Sequence, residues 1–113
     1  MSSNTNFQLV VTFHEGPESA SSREGLDLVI AAMSMDVTVA VVFMREGLAL
    51  CDRNHTFAHA MKRLPMLEDI FDADALFAQG ESLPAAPALE NLRLINELQY
   101  DEILARSKHH LHF

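Results

Sequence analysis

One cysteine, Cys51, in 113 residues allows neither an internal disulfide nor a CxxC redox pair. Tryptophan is absent and there is a single tyrosine. Basic residues are scarce: 8 Lys and Arg stand against 16 Asp and Glu, for a formal net charge of −8. Affinity for nucleic acid comes largely from neutralising phosphates. A chain with this balance and no basic stripe is therefore not expected to bind RNA or DNA directly. No apolar run reaches the roughly 18 residues of a membrane span. Residues 1–6, Met-Ser-Ser-Asn-Thr-Asn, lack the basic and apolar parts of a signal peptide and read as a frayed start. These absences point to the cytoplasm and away from membranes.

What is present suits a packed core. Hydrophobic residues make up 49% of the chain, too many for disorder. The length fits one domain, 7–113, which buries roughly two-thirds of its unfolded surface. Phe7 to Phe13 is rich in valine and phenylalanine and reads as a strand. His14 to Ser21 follows as a loop punctuated by Gly16-Pro17. Ser22 is the expected N-cap of a first helix, with Glu24 in its first turn. Leu26, Val29, Ile30 and Met33 then repeat at the spacing of one buried helical face. Gly25, within that helix, suggests a close approach to a neighbour.

Val37 to Met44 is almost continuously apolar, as suits a central parallel strand covered on both faces. Arg45-Glu-Gly47 turns the chain. Phe57, Ala60, Met61 and Leu64 predict a second helix over 55–64, stopped by Pro65. Ala75 to Ala78 reads as a third strand and Leu92 to Ile95 as a fourth, with a loop holding Pro84 and Pro87 between them. Asn96 and Gln99 match a capping box for a last helix over 97–108. Lys108 and His109 would close it, before a final strand over 110–113. The order β-α-β-α-β-loop-β-α-β predicts an α/β, three-layer domain of the doubly wound, flavodoxin-like type. Its sheet would be mostly parallel, of about five strands, with helices on both faces.

Within that frame, Arg23-Glu24-Gly25-Leu26-Asp27 opens the first helix after a phenylalanine-ended strand and a polar loop. Ile30-Ala-Ala-Met33, Val41-Val-Phe43 and Glu46-Gly47 follow in order, and a strand, a helix and an apolar strand ending in Phe113 close the chain. This pattern resembles the DsrE/DsrF-like family, and within it the TusC/DsrF subunit. The resemblance implies a cytoplasmic hetero-oligomer with homologous TusB-like and TusD-like subunits. In such a complex, sulfur passes along cysteine persulfides toward 2-thiouridine at the tRNA wobble position, or serves sulfur oxidation. The catalytic subunit of that family carries its cysteine after the third strand. Here that neighbourhood reads Leu76-Phe-Ala-Gln-Gly-Glu-Ser82. The resemblance thus implies a non-catalytic subunit. A sulfurtransferase subunit carrying persulfide on Cys51, or a homo-oligomer of another role, remains the alternative.

Cys51 is the one sulfur-carrier candidate. A carrier needs an accessible, low-pKa thiolate, and Arg53 and His55 lie near enough in sequence to stabilise one. The plainer reading is a small buried hydrophobe. His55 and His59 stand at i, i+4 and could share a helix face, but Thr56 occupies the glutamate position of an HExxH site and no third ligand is evident. His109, His110 and His112 cluster near the end, where helix-end and strand-surface positions explain them. Alternation puts His110 and His112 on one strand face, opposite Leu111 and Phe113. The loop 14–22 precedes a helix N-terminus, a place that can hold anions, yet Glu15 and Glu18 repel them and no glycine-rich fingerprint is present. No cofactor or metal is expected. Met33, Met44, Met61 and Met66 read as core filler or as an adaptable subunit interface.

Overall fold

The computed structural model describes residues 6–55 and 57–113. In chain order the elements are β1 (Phe7–Phe13), α1 (Ala20–Ser34), β2 (Val39–Met44), a 3-10 helix (Arg45–Cys51), α2 (Ala58–Asp69), β3 (Leu76–Gln79), β4 (Leu92–Ile95), α3 (Glu97–Ala105) and β5 (Ser107–His112). The five strands form one sheet in the order β4-β3-β2-β1-β5, and every neighbouring pair is parallel. The polar start over 1–5 lies outside the described residues. Among the described residues, no helix is long and apolar enough to cross a membrane.

The period-2 alternation of the strands builds two cores. Val11, Phe13, Val41 and Phe43 pack with Leu26 and Val29 of α1 and with Ala60, Leu64 and Leu67 of α2. Val10, Ala40, Val42 and Met44 face the other way, onto Ile103, Tyr100 and Leu104 of α3. All six residues of β2 are buried, as a central strand covered on both faces requires. The chain steps from β1 to β4 in one direction with α1 and α2 on one face. It returns from β4 at one edge to β5 at the other through α3. Right-handed crossovers lie on opposite faces for opposite directions of travel, so α3 alone covers the second face.

Several boundaries differ from the sequence reading, each for a local reason. Helix α1 starts at Ala20 and is capped by Ser19, whose side chain accepts from the Ser21 amide at 3.1 Å. Ser22, the expected cap, is buried and donates to the carbonyls of Glu15 and Gly16 at 3.0 and 2.9 Å. Glu24 consequently falls beyond the first turn. Helix α2 runs from Ala58, not 55, and contains Pro65 rather than ending at it. Leu64 and Leu67 are both buried, and this packing carries the helix through the proline. The hydrogen bond that Pro65 cannot donate would go to Met61, whose side chain is exposed. Helix α3 has the expected capping box, with Asn96 and Gln99 bonded reciprocally at 2.8 and 2.9 Å. It ends at Ala105, because pairing with β1 begins already at Ser107. Lys108 and His109 are therefore strand residues and not a helix terminus.

Gly25 is where α1 touches the sheet most closely. A Cβ there would lie 2.5 Å from Phe13 Cε1 and 2.7 Å from Phe113 Cγ. Gly25→Ala should gain helix propensity of at most ~1 kcal/mol but lose more through overpacking of two rings. A net destabilisation of about 1–2 kcal/mol is expected, read from urea denaturation. Unchanged or increased stability would show that α1 can retreat from the sheet.

Candidate functional site

Open α/β sheets bind ligands outside the carboxyl ends of their strands. At this edge the chain brings together the loop after β1, the 3-10 helix after β2, the segments after β3 and β4, and the end of β5. The 3-10 helix is held down by Gly47, whose Cβ position would run into the Phe13 carbonyl.

Cys51 ends the 3-10 helix and is 0% exposed. Its Sγ donates to the Leu48 carbonyl at 3.2 Å. Burial pushes the thiol up to about 12, and Asp52 adds to the rise. Arg53 and His55 do not serve it. Arg53 Nε donates to the Pro87 carbonyl at 3.3 Å, and His55 Nε2 lies 3.0 Å from the Leu50 carbonyl. The backbone around Cys51 ties down the loop between β3 and β4: the Ala88 amide donates to the Cys51 carbonyl and the Arg53 amide to the Ala86 carbonyl, both at 2.8 Å. The residues following β3 are Gly80, Glu81 and Ser82, so no thiol stands there.

His55 and His59 are not on a common helix face. His55 precedes α2, while His59 Nε2 pairs with Asp27 Oδ1 at 3.2 Å. Arg63 Nε donates to the same oxygen at 2.8 Å. Burial pulls the Asp27 carboxyl upward, but Arg63 and His59 outweigh it and hold the group below its ordinary value. Thr56 lies outside the described residues. The Arg23–Asp27 motif thereby acquires physical content: Gly25 seats α1 on the sheet, Leu26 enters the core and Asp27 ties α1 to α2. Arg23 and Glu24 are exposed. Among the described residues, no group of three or more His, Cys, Asp or Glu is arranged to hold a metal ion.

The loop after β1 spends its hydroxyls internally. Ser19 Oγ donates to Glu15 Oε1 at 2.6 Å, besides capping α1. A shallow cleft of about 440 Å³ beside it is lined by Glu15, Glu18 and Glu46. Three carboxylates make it hostile to phosphate.

Sequence reasoning grouped His110 and His112 but passed over their junction with His14, Thr12 and Tyr100 on the α3 side of this edge. The His110 and His112 rings lie 4.0 Å apart, and His14 meets His112 edge-on at 5.3 Å. His110 Nε2 is 2.9 Å from Thr12 Oγ1 and 3.2 Å from the Tyr100 hydroxyl, which are 2.8 Å from each other. β1, α3 and β5 thus meet in one polar knot around the fully buried Thr12. In the tautomer with Nε2 unprotonated, that nitrogen accepts one hydroxyl hydrogen while the other lies between the two oxygens. Burial lowers the His110 pKa, with His112 and His14 adding to the fall. Burial and His14 lower that of His112. Burial raises Tyr100, against the Thr12 hydrogen bond. The alternation of β5 did put His110 and His112 on one face. The pairing of β5 with β1, with Val10 opposite His110 and Thr12 opposite His112, is what adds His14.

This cluster sets a pH dependence. His110 and His112 have folded values below 6.5, so near and below that pH the unfolded chain binds the more protons. Their contribution is full above pH 6.5 and is lost as pH falls through the folded values. The depressed Asp27 loses its contribution only below 3.8, in a separate window. The melting temperature should therefore fall from pH 7.5 to pH 5, and less steeply in His112→Gln. An equal slope in the two proteins would remove the cluster as the cause.

Comparison with known proteins completes the picture. The crystal structure of the YchN protein from E. coli superposes with a TM-score of 0.77, covering 96% of this chain and 100% of that one at 13% identity. At that identity the likeness is one of fold. No curated protein matches the chain in sequence. The DsrE/DsrF-like family matches residues 8–83, a span that runs from β1 past β3 and holds the Arg23–Asp27 motif. The chain belongs to the DsrE/DsrF-like family.

Proposed function

We propose that this chain is a non-catalytic, TusC-like subunit of a cytoplasmic sulfur-relay hetero-oligomer. In it, TusB-like and TusD-like partners carry the persulfides, toward 2-thiouridine in tRNA. Family membership implies the sulfur-relay-related role. The observation that carries the finer reading is the state of the only thiol. At pH 7 a group near 12 is thiolate in on the order of one molecule in 10⁵, and burial denies it a reaction partner. With no second cysteine in the sequence, this chain supplies scaffold and not sulfur. Exposed apolar residues suit such a role: Leu94 on the β4 edge and Leu98 on α3, four residues apart, are 42% and 73% exposed.

Two measurements test this. Alkylation of Cys51 at pH 7 should be at least ~100-fold slower in the native chain than in denaturant. Cys51→Ser should leave sulfur transfer by the reconstituted complex within about twofold, since a serine hydroxyl can make the same bond to the Leu48 carbonyl. Rapid labelling, or loss of transfer in a Cys51→Ser chain that still folds, would move the chemistry into this subunit.

A further inference from the structure

We propose that a groove beside α2 docks an extended segment of another protein, one that carries a large apolar residue and, two positions later, a lysine or arginine. The inference stands apart from the sulfur-relay reading, and its test involves no sulfur. Two clefts make up the groove, and they meet at Arg53, Pro65 and Ala88. The first, of about 250 Å³, is walled by His55, Met61, Leu64 and Pro65. The second, of about 330 Å³, is walled by Glu68, Asp69, Glu90 and Asn91.

The first cleft selects an apolar side chain. Met61 in its wall is 47% exposed. Phe57 is 44% exposed, with its ring 6.0 Å from that of His55. Sites for small organic ligands start at about 300 Å³, so this cleft suits one side chain and not a whole molecule. Pro65 has no N–H to give the Met61 carbonyl, which leaves an acceptor for a docked backbone amide in the same wall. The facing segment is already fixed, because the Ala88 amide donates to the Cys51 carbonyl at 2.8 Å.

The second cleft selects the charge. Asp52, Glu68, Asp69 and Glu90 line the groove against one cation, Arg53, whose Nε is turned to the Pro87 carbonyl. Asp52 accepts from the Asn54 amide at 2.9 Å, and Glu68 from the amides of Glu90 and Asn91 at 2.9 and 2.6 Å. Asp69 and Glu90 are exposed, and among the described residues neither carboxylate is in an ion pair. Asp69 also ends α2, whose last turn holds no basic residue. A carboxylate at the negative end of a helix dipole is unfavourable, and a docked cation relieves it.

The spacing selects an extended chain. Along α2 the stretch from Met61 to Pro65 walls the first cleft and that from Pro65 to Asp69 the second. The offset of one stretch from the other is ~6 Å along the helix axis. Residues i and i+2 of an extended chain point to the same side and stand ~6.6 Å apart. One face of such a chain therefore reaches both clefts at once.

The test follows the methyl NMR resonances of Met61, Leu64 and Ala88 in the intact chain. The probe is a short, capped glycine-serine peptide carrying one leucine and, two residues later, one arginine. These resonances should shift saturably. A peptide with glutamate for the arginine, or with serine for the leucine, should bind at least ~fivefold more weakly. The double variant D69N/E90Q should bring the arginine and glutamate peptides to within about twofold of each other. Asp69→Asn alone should not lower the melting temperature, since it removes a charge that opposes the dipole. Met61→Ala, at an exposed helical position, should weaken the leucine-arginine peptide at least ~threefold. The proposal is overturned by no saturable shift, by equal binding of either control peptide, or by undiminished binding in the folded variants. Equal binding of N-acetylarginine amide would also overturn it, because the groove would then be a site for a small cation. Shifts of the same methyl groups on concentrating the chain alone would overturn it in favour of a second copy as the occupant.

Discussion

The ring of Phe13 stacks on Phe43 at 5.5 Å and leans on Phe113 at 6.1 Å, while α1 presses against both Phe13 and Phe113 through Gly25. On the backbone side, the Phe13 carbonyl bears on Gly47. The His14 amide donates to the Phe113 carbonyl and the Phe113 amide to the Thr12 carbonyl, both at 2.8 Å. One residue thus fixes β2, β5, α1 and the 3-10 helix at the carboxyl edge. The histidine cluster hangs from it, since His14 is the next residue and Thr12 the one before. Two glycines, at 25 and 47, are required because two segments approach Phe13 too closely for any side chain.

That junction also explains what was legible in the sequence. The alternation of β1 and the unbroken apolar run of β2 report burial on two faces, and burial of that kind is a local property of composition and period. Gly25 could be read as a close approach, because a glycine inside an amphipathic helix has few other uses. The Asn96–Gln99 capping box is equally local. Helix α2 was misjudged because a proline rule operates on the backbone, while Leu64 and Leu67 pull from the core. The site was the least legible part. His14 and His112 are almost a hundred residues apart in sequence, and only the parallel pairing of β5 with β1 makes them neighbours. Sequence period could place two histidines on one face, but not say which strand would lie beside them.

Cys51 shows how environment decides the character of a reactive group. Its sequence neighbours, Arg53 and His55, have the charges that would lower a thiol, yet each is turned to a backbone carbonyl. The sulfur instead sits in the core with Leu50 and Leu89. A residue that looks like a nucleophile in one dimension is packing material in three. Of the imidazoles assigned to the strand surface, His112 is exposed, while His110 is half-buried against Thr12 and Tyr100.

The crossover through α3 has a kinetic consequence. β5 completes β1 only after the chain has passed along the whole sheet and come back, so the pairing of Val10 with His110 closes a loop of about a hundred residues. Such long-range pairing is entropically late and slow to form. During synthesis, β1 to β3 can assemble with α1 and α2 while the flank of β1 is still bare. An unpaired strand edge is a place where another chain can attach. β5 is the last strand of the sheet to be made, so that edge stays open to such attachment until it docks.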